Sequence, residues 1–138
     1  FEEMIARGEF IEYARVYGQY KGVPKSGAKR ALESGKDVLM RLDVQGTATI
    51  RERVPEAITV FIAPPSLETL VERLHRRAGD PPEQAQHRLE TALSELERIQ
   101  EFDYVVVNRE GELEKAVAQV MAIVTAEKCR TGREPVRL

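Results

Sequence analysis

Two short, nearly unbroken apolar runs constrain this chain most. Ile58, Val60, Phe61 and Ile62 fall within residues 57–63, and Tyr104-Val105-Val106-Val107 make the second run. Strands that bury both faces read this way, and they are typical of parallel sheets covered by helices. Between the runs lie two helical patterns. Ser66 caps the first, whose core face is Leu67, Leu70, Val71 and Leu74. The second carries Ala85, Leu89, Leu93, Leu96 and Ile99. Ala78-Gly79-Asp80-Pro81-Pro82 separates them, with Asp80 placed as a cap and Glu83 three residues on.

The rest of the chain extends the alternation. Phe1, Met4 and Ile5 share a helix face that Gly8 ends. Residues 9–17 read as extended, with Phe10, Glu12, Ala14 and Val16 on one face and Ile11, Tyr13, Arg15 and Tyr17 on the other. Residues 18–22 read as a Gly-bounded turn or loop. A helix follows from Pro24 to Ser34-Gly35, then a strand over 36–42 and a short helix over 47–53. Leu113, Val117, Val120, Met121 and Val124 mark a last helix, and residues 130–138 read as a frayed tail. Helices alternating with strands from Pro24 onward predict an α/β fold, a parallel sheet with helices on both faces. Residues 1–23 are expected to be the remainder of a small lobe, 24–129 the α/β core with a lid at 76–88, and 130–138 the tail.

Composition narrows the function classes. The chain has 138 residues, 42% apolar and 32% charged, with a net charge of -2. That suits one soluble domain with a real core and leaves no footprint for nucleic acid. The apolar runs are too short to cross a membrane. A lone Cys129 excludes an internal disulfide, and His75 and His87 lack metal-ligand spacing, so no protein-bound metal site is expected. The chain starts at Phe1 with Met4 inside a helical pattern, so it is expected to be cut from a longer protein.

Candidate chemistry gathers at the ends of strands. Asp43-Val44-Gln45-Gly46 follows the apolar stretch 38–42, at the edge where ligands bind in open α/β sheets. Gly46 permits close backbone approach. Glu12 and Asp43 are paired carboxylates. A guanine ring offers two adjacent donors, its ring N–H and exocyclic amine, which one carboxylate can accept together. The competing reading makes Glu12 an exposed strand residue. Tyr20 and Lys21 could hold a phosphate monoester, or belong to an ordinary polar turn. Arg73 and Arg77 share a helix face, and Arg88 lies across the interruption. Such arginines can clamp phosphate and offset charge in phosphoryl transfer. They could equally pair with Glu72, Glu83 or Glu90 on the surface. Asn108 ends the second apolar run, at a ligand-facing position that also suits a turn.

Taken in order, these segments resemble the guanylate kinase family. The motifs are Phe1-Glu2-Glu3-Met4-Ile5, Gly8-Glu9-Phe10-Ile11-Glu12, Val16-Tyr17-Gly18-Gln19-Tyr20-Lys21-Gly22-Val23-Pro24-Lys25, Gly35-Lys36-Asp37-Val38, Asp43-Val44-Gln45-Gly46, Pro64-Pro65-Ser66 and Phe102-Asp103-Tyr104-Val105-Val106-Val107-Asn108. The Tyr20-Lys21-Gly22-Val23-Pro24 version looks like a bacterial and plant-organelle branch. The resemblance implies a P-loop nucleoside-monophosphate-kinase-like parallel sheet flanked by helices, with part of a small GMP-binding lobe, truncated at its N-terminus. It implies transfer of the terminal phosphate of ATP to GMP, with Mg2+ accompanying ATP, in the cytoplasm or a plant organelle.

By the same resemblance, Glu12, Asp43 and Gly46 serve the guanine, and Tyr20 and Lys21 the GMP phosphate. Arg73, Arg77 and Arg88 are the catalytic arginines of the lid. Arg73, Arg77 and Asn108 serve ATP. GMP and ATP are the implied partners, with no nucleic acid and no membrane, and oligomeric state carries no signal. The chain departs from the family at Lys21, where a second Tyr is common, at Val23, which has no hydroxyl, and at Arg41, where an acid is usual. No Gly-x-x-x-x-Gly-Lys-Ser/Thr loop for ATP phosphates occurs in these residues. The segment alone is therefore expected to be inactive. A non-catalytic guanylate kinase-like binding module is the alternative.

Overall fold

Gly18 lies at the turn between two strands of the N-terminal part. It takes φ 78°, a left-handed turn conformation, and folds the chain back on itself. The computed structural model describes residues 1–16, 18–76 and 81–138, the side chain of Val16 aside. It separates into two compact units, residues 1–57 with 133–138, and residues 58–132.

In the first unit, helix α1 (Glu2–Ala6) leads into an antiparallel hairpin of β1 (Phe10–Val16) and β2 (Gln19–Pro24). The expected loop over 18–22 is thus a strand after Gly18. Gly22 is not a second breaker; packing explains it instead. A Cβ there would lie 2.9 Å from the Glu12 carbonyl oxygen, Phe10 Cδ1 and Tyr13 Cβ. A register shift between Phe10 and Glu12 marks a bulge, which lets Phe10, Ile11 and Glu12 be buried in succession.

Helices α2 (Lys25–Glu33) and α3 (Val44–Arg53) follow. Helix α2 ends as expected at Ser34-Gly35. Gly35 has φ 77°, and the Lys36 N–H donates to the Ala31 carbonyl at 3.1 Å. Residues 36–42 keep the alternation of a strand without forming one. Val38, Met40 and Leu42 pack against the core of Ile11, Ala28, Ile50 and Val54, while Leu39 is 88% exposed. A strand requires a hydrogen-bonded neighbour, and among the described residues this segment has none. Within residues 130–138, Val136 and Leu138 pack on the same core. Val23 on β2 packs against the same core.

The second unit carries the sequence-predicted α/β pattern. Strands β3 (Val60–Ala63) and β4 (Tyr104–Val107) pair in parallel, from Val60 opposite Tyr104 to Ala63 opposite Val107. Helices α4 (Leu67–Arg76) and α5 (Pro82–Glu97) connect them, and α6 (Leu113–Lys128) follows β4. Ser66 caps α4 as expected, its Oγ accepting from the Thr69 N–H at 3.1 Å. Asp80 lies outside the described residues. Pro81 precedes α5 and makes no side-chain capping bond.

Thr59 and Asp103 fix the strand register. Asp103 Oδ2 accepts from the Thr59 N–H and hydroxyl, each at 2.8 Å, and the Asp103 N–H donates to Thr59 Oγ1 at 3.0 Å. At the opposite end the Asn108 N–H donates to the Ala63 carbonyl at 2.9 Å. Helix α6 is tied to β4 by Glu127, only 4% exposed, which accepts from the Tyr104 hydroxyl at 2.5 Å and from Arg130 at 2.8 Å.

Candidate functional site

Asp43 occupies the N-cap of α3. Its Oδ1 accepts from the Gly46 N–H at 2.7 Å, satisfying one of the helix's unpaired donors. This bond fixes the carboxylate at the helix start. Gly46 then leaves the space that brings Glu12 close. A Cβ on Gly46 would lie 3.3 Å from Asp43 Oδ1 and 3.4 Å from Glu12 Oε1. The structure therefore brings Glu12, Asp43 and Gly46 together, although 31 positions separate Glu12 from Asp43.

Glu12 is 9% exposed and not the exposed strand residue of the competing reading. Among the described residues no donor bonds its carboxylate. Burial raises its pKa above the ordinary carboxyl value, Asp43's negative charge raises it further, and Arg53 opposes both. Arg53 is itself held, its Nη1 donating to the Ile11 carbonyl at 2.8 Å. The result is two carboxylates at one helix start, one capping the helix and one on a largely buried residue, with no protein donor but with its oxygens still open to solvent. Such a pair can accept hydrogen bonds from a neutral ligand that offers adjacent N–H groups.

The hairpin separates Tyr20 from Lys21. Glu12 stands opposite Val23 and Ala14 opposite Lys21, so Glu12 and Lys21 lie on one face. Tyr20 is on the other, paired with Arg15. There it stacks on Phe1 at 5.1 Å, lies under the Arg15 guanidinium, and donates its hydroxyl to Glu2 Oε1 at 3.3 Å. A cavity of about 500 Å³ in this unit is lined by residues including Phe10, Lys25, Arg53 and Arg137. Neither Glu12 nor Asp43 lines it.

In the second unit, Arg73 and Asn108 meet. Arg73 Nη2 donates to the Asn108 carbonyl at 2.7 Å, at the C-terminal end of β4. Glu110 lies 3.7 Å from Arg73 Nη2 and 3.1 Å from Arg76 Nη1. The partner of Arg73 is thus Glu110 rather than Glu72, Glu83 or Glu90. Sequence spacing could not reveal it, because 37 positions separate the two. Arg88 sits exposed on α5, and Arg77 lies outside the described residues. No group of three or more His, Cys, Asp or Glu side chains among the described residues could hold a metal ion. No helix among them is long and apolar enough to cross a membrane.

Residues 1–127 match the family model described as guanylate kinase. The chain is 38% identical over 135 residues to the guanylate kinase of Desulfitobacterium hafniense, covering 98% of this chain and 66% of that protein. It is 46% identical over 133 residues to a guanylate kinase of Thermus thermophilus, covering 96% and 60%. It is 45% identical over 139 residues to the chloroplastic/mitochondrial guanylate kinase 2 of rice, covering 100% and 49%. The crystal structure of guanylate kinase from Anaplasma phagocytophilum matches with a TM-score of 0.75 and 31% identity, over 96% of this chain and 63% of that one. The chain therefore spans between about half and two thirds of the length of these relatives. On the family match and these identities, the chain belongs to the guanylate kinase family.

Proposed function

We propose that this chain supplies the guanine-reading and phosphoryl-stabilising residues of a GMP kinase that forms GDP from GMP and ATP. The observation that carries this is the Glu12–Asp43 pair at Gly46, with Glu12 buried and lacking a donor. Glu12 and Asp43 accept the ring N–H and exocyclic amine of guanine. Gly46 leaves room for the base edge, and Lys21, on Glu12's face, holds the GMP phosphate. Tyr20 contributes to that phosphate only by leaving Glu2.

Arg73, Arg77 and Arg88 contact the transferring phosphoryl group and offset its developing charge. Arg73, Arg77 and Asn108 serve the ATP side, Asn108 near the adenine. Mg2+ arrives with ATP. The described residues hold no group of three or more His, Cys, Asp or Glu side chains that could bind it. Residues 1–23 belong to the GMP-binding lobe and 76–88 to the lid, in a protein that works in the cytoplasm or a plant organelle.

The alternative reading is a guanylate kinase-like binding module without turnover. Base selectivity tests the first part of the proposal. Calorimetric titration of the chain is expected to give GMP binding at least roughly tenfold tighter than AMP, since an adenine edge offers one amine donor beside a ring-nitrogen acceptor where guanine offers two adjacent donors. Equal affinity would sink it. GDP formation by the protein separates kinase from binding module. The 138-residue chain itself is expected to form none.

A further inference from the structure

Glu110 is the acidic residue that the structure adds to the arginine cluster of the second unit. It follows β4 by three positions and faces two guanidinium groups, Arg73 at 3.7 Å and Arg76 at 3.1 Å. Arg73 is partly buried, at 29% side-chain exposure, while Glu110 is 67% exposed. The Asn108 carbonyl and the Glu110 carboxylate both engage Arg73 through Nη2. Nε and Nη1 have no acceptor among the described residues. A guanidinium tethered through one nitrogen keeps its other donors for a bidentate anion.

We propose that Glu110 is a positioning residue for Arg73. With the Asn108 carbonyl, it holds the guanidinium at the C-terminal end of β4 with Nε and Nη1 presented to phosphate. Arg76 shares the carboxylate and sets its orientation. Glu110 does not itself touch the nucleotide, since a carboxylate beside phosphate would repel it. The inference rests on the assignment of Arg73 to the phosphoryl group.

Two measurements test it. The first needs no activity: 15N relaxation of the Arg73 Nε–Hε group in the 138-residue chain. Glu110→Gln is expected to leave the backbone amides of α4 and β4 unchanged and to loosen the Arg73 side chain, with faster Nε–Hε exchange. An unchanged Arg73 signal would overturn the proposal. The second uses the active protein that carries this segment. Glu110→Gln is expected to lower kcat about two- to fivefold, the range of a partly exposed ion pair, with the KM for GMP unchanged. The same substitution in an Arg73→Ala background is expected to do nothing further. Equal losses in both backgrounds would show that Glu110 does not act through Arg73. Absence of any GDP formation by the parent protein would count against the functional reading, and the Arg73 relaxation would still decide the role of Glu110.

Discussion

Glu12→Gln should move stability and binding in opposite directions. Glu12 is a largely buried residue beside Asp43 with no protein donor to its carboxylate, and its pKa is raised above the ordinary 4.5. The folded chain therefore keeps a proton that the unfolded chain has released between pH 4.5 and the raised value. Stability falls as pH rises through that window and stays lower at neutral pH. Gln carries no charge to desolvate, so the variant is expected to melt at or above the wild-type temperature at pH 7. It should also lose the wild-type drop across the acidic window.

Binding should go the other way. Gln presents one acceptor and one donor where guanine offers two donors, so a hydrogen bond to a charged group is lost. Such a bond contributes about 1.5–3 kcal/mol, or roughly ten- to a hundredfold in Kd. Calorimetric titration with GMP and thermal melts at pH 4 and pH 7 measure both effects. If the variant bound GMP as tightly as wild type, the base-reading role would fail. If it melted lower at pH 7, Glu12 would be making a stabilising bond that the structure does not show.

Three further outcomes are expected, two from packing and one from the proposed clamp. Gly22→Ala places a methyl 2.9 Å from the Glu12 carbonyl oxygen and is expected to cost about 1–3 kcal/mol in chemical denaturation; no loss would mean the hairpin yields without strain. Tyr104→Phe removes the hydroxyl bonded to the buried Glu127 and should lower the melting temperature at neutral pH. That bond is the main cause of a Tyr104 pKa above the ordinary 10.0, with burial adding to it and Arg130 opposing. Its contribution is present below pH 10 and is lost as pH rises through the raised value, so the variant's stability should depend less on alkaline pH. In the active protein, Arg88→Ala should lower turnover far more than GMP affinity, as steady-state kinetics with a GMP titration would show; intact turnover would remove Arg88 from the clamp.

Legibility in the sequence followed the range of the interaction. Strands β3 and β4 are visible because their apolar runs are unbroken, yet the expected burial of both faces does not hold, since Ile62 is 52% and Val105 45% exposed. Helix α3 starts at Val44, three residues before the expected 47, although the capping bond from the Gly46 N–H to Asp43 that sets this start is local. The hairpin is hidden because Gly18 and Gly22 look alike as letters. Only Gly18 needs a positive φ, while Gly22 needs the absence of a side chain. A lone Gly beside a strand pattern is a known signal of close backbone approach, so this part could have been found. Residues 36–42 show their alternation faithfully, but pairing depends on a neighbour that no local pattern encodes. Glu110 and the packing of Val136 and Leu138 are long-range and leave no mark in spacing.

The most direct test is an amide chemical-shift titration of the 138-residue chain with GMP. Saturable shifts are expected at Gly46, Glu12, Asp43 and Lys21, and they should vanish in Glu12→Gln. Shifts confined instead to the opposite hairpin face around Tyr20 and Phe1, or to the cavity lined by Lys25 and Arg137, would contradict guanine recognition by the Glu12–Asp43 pair.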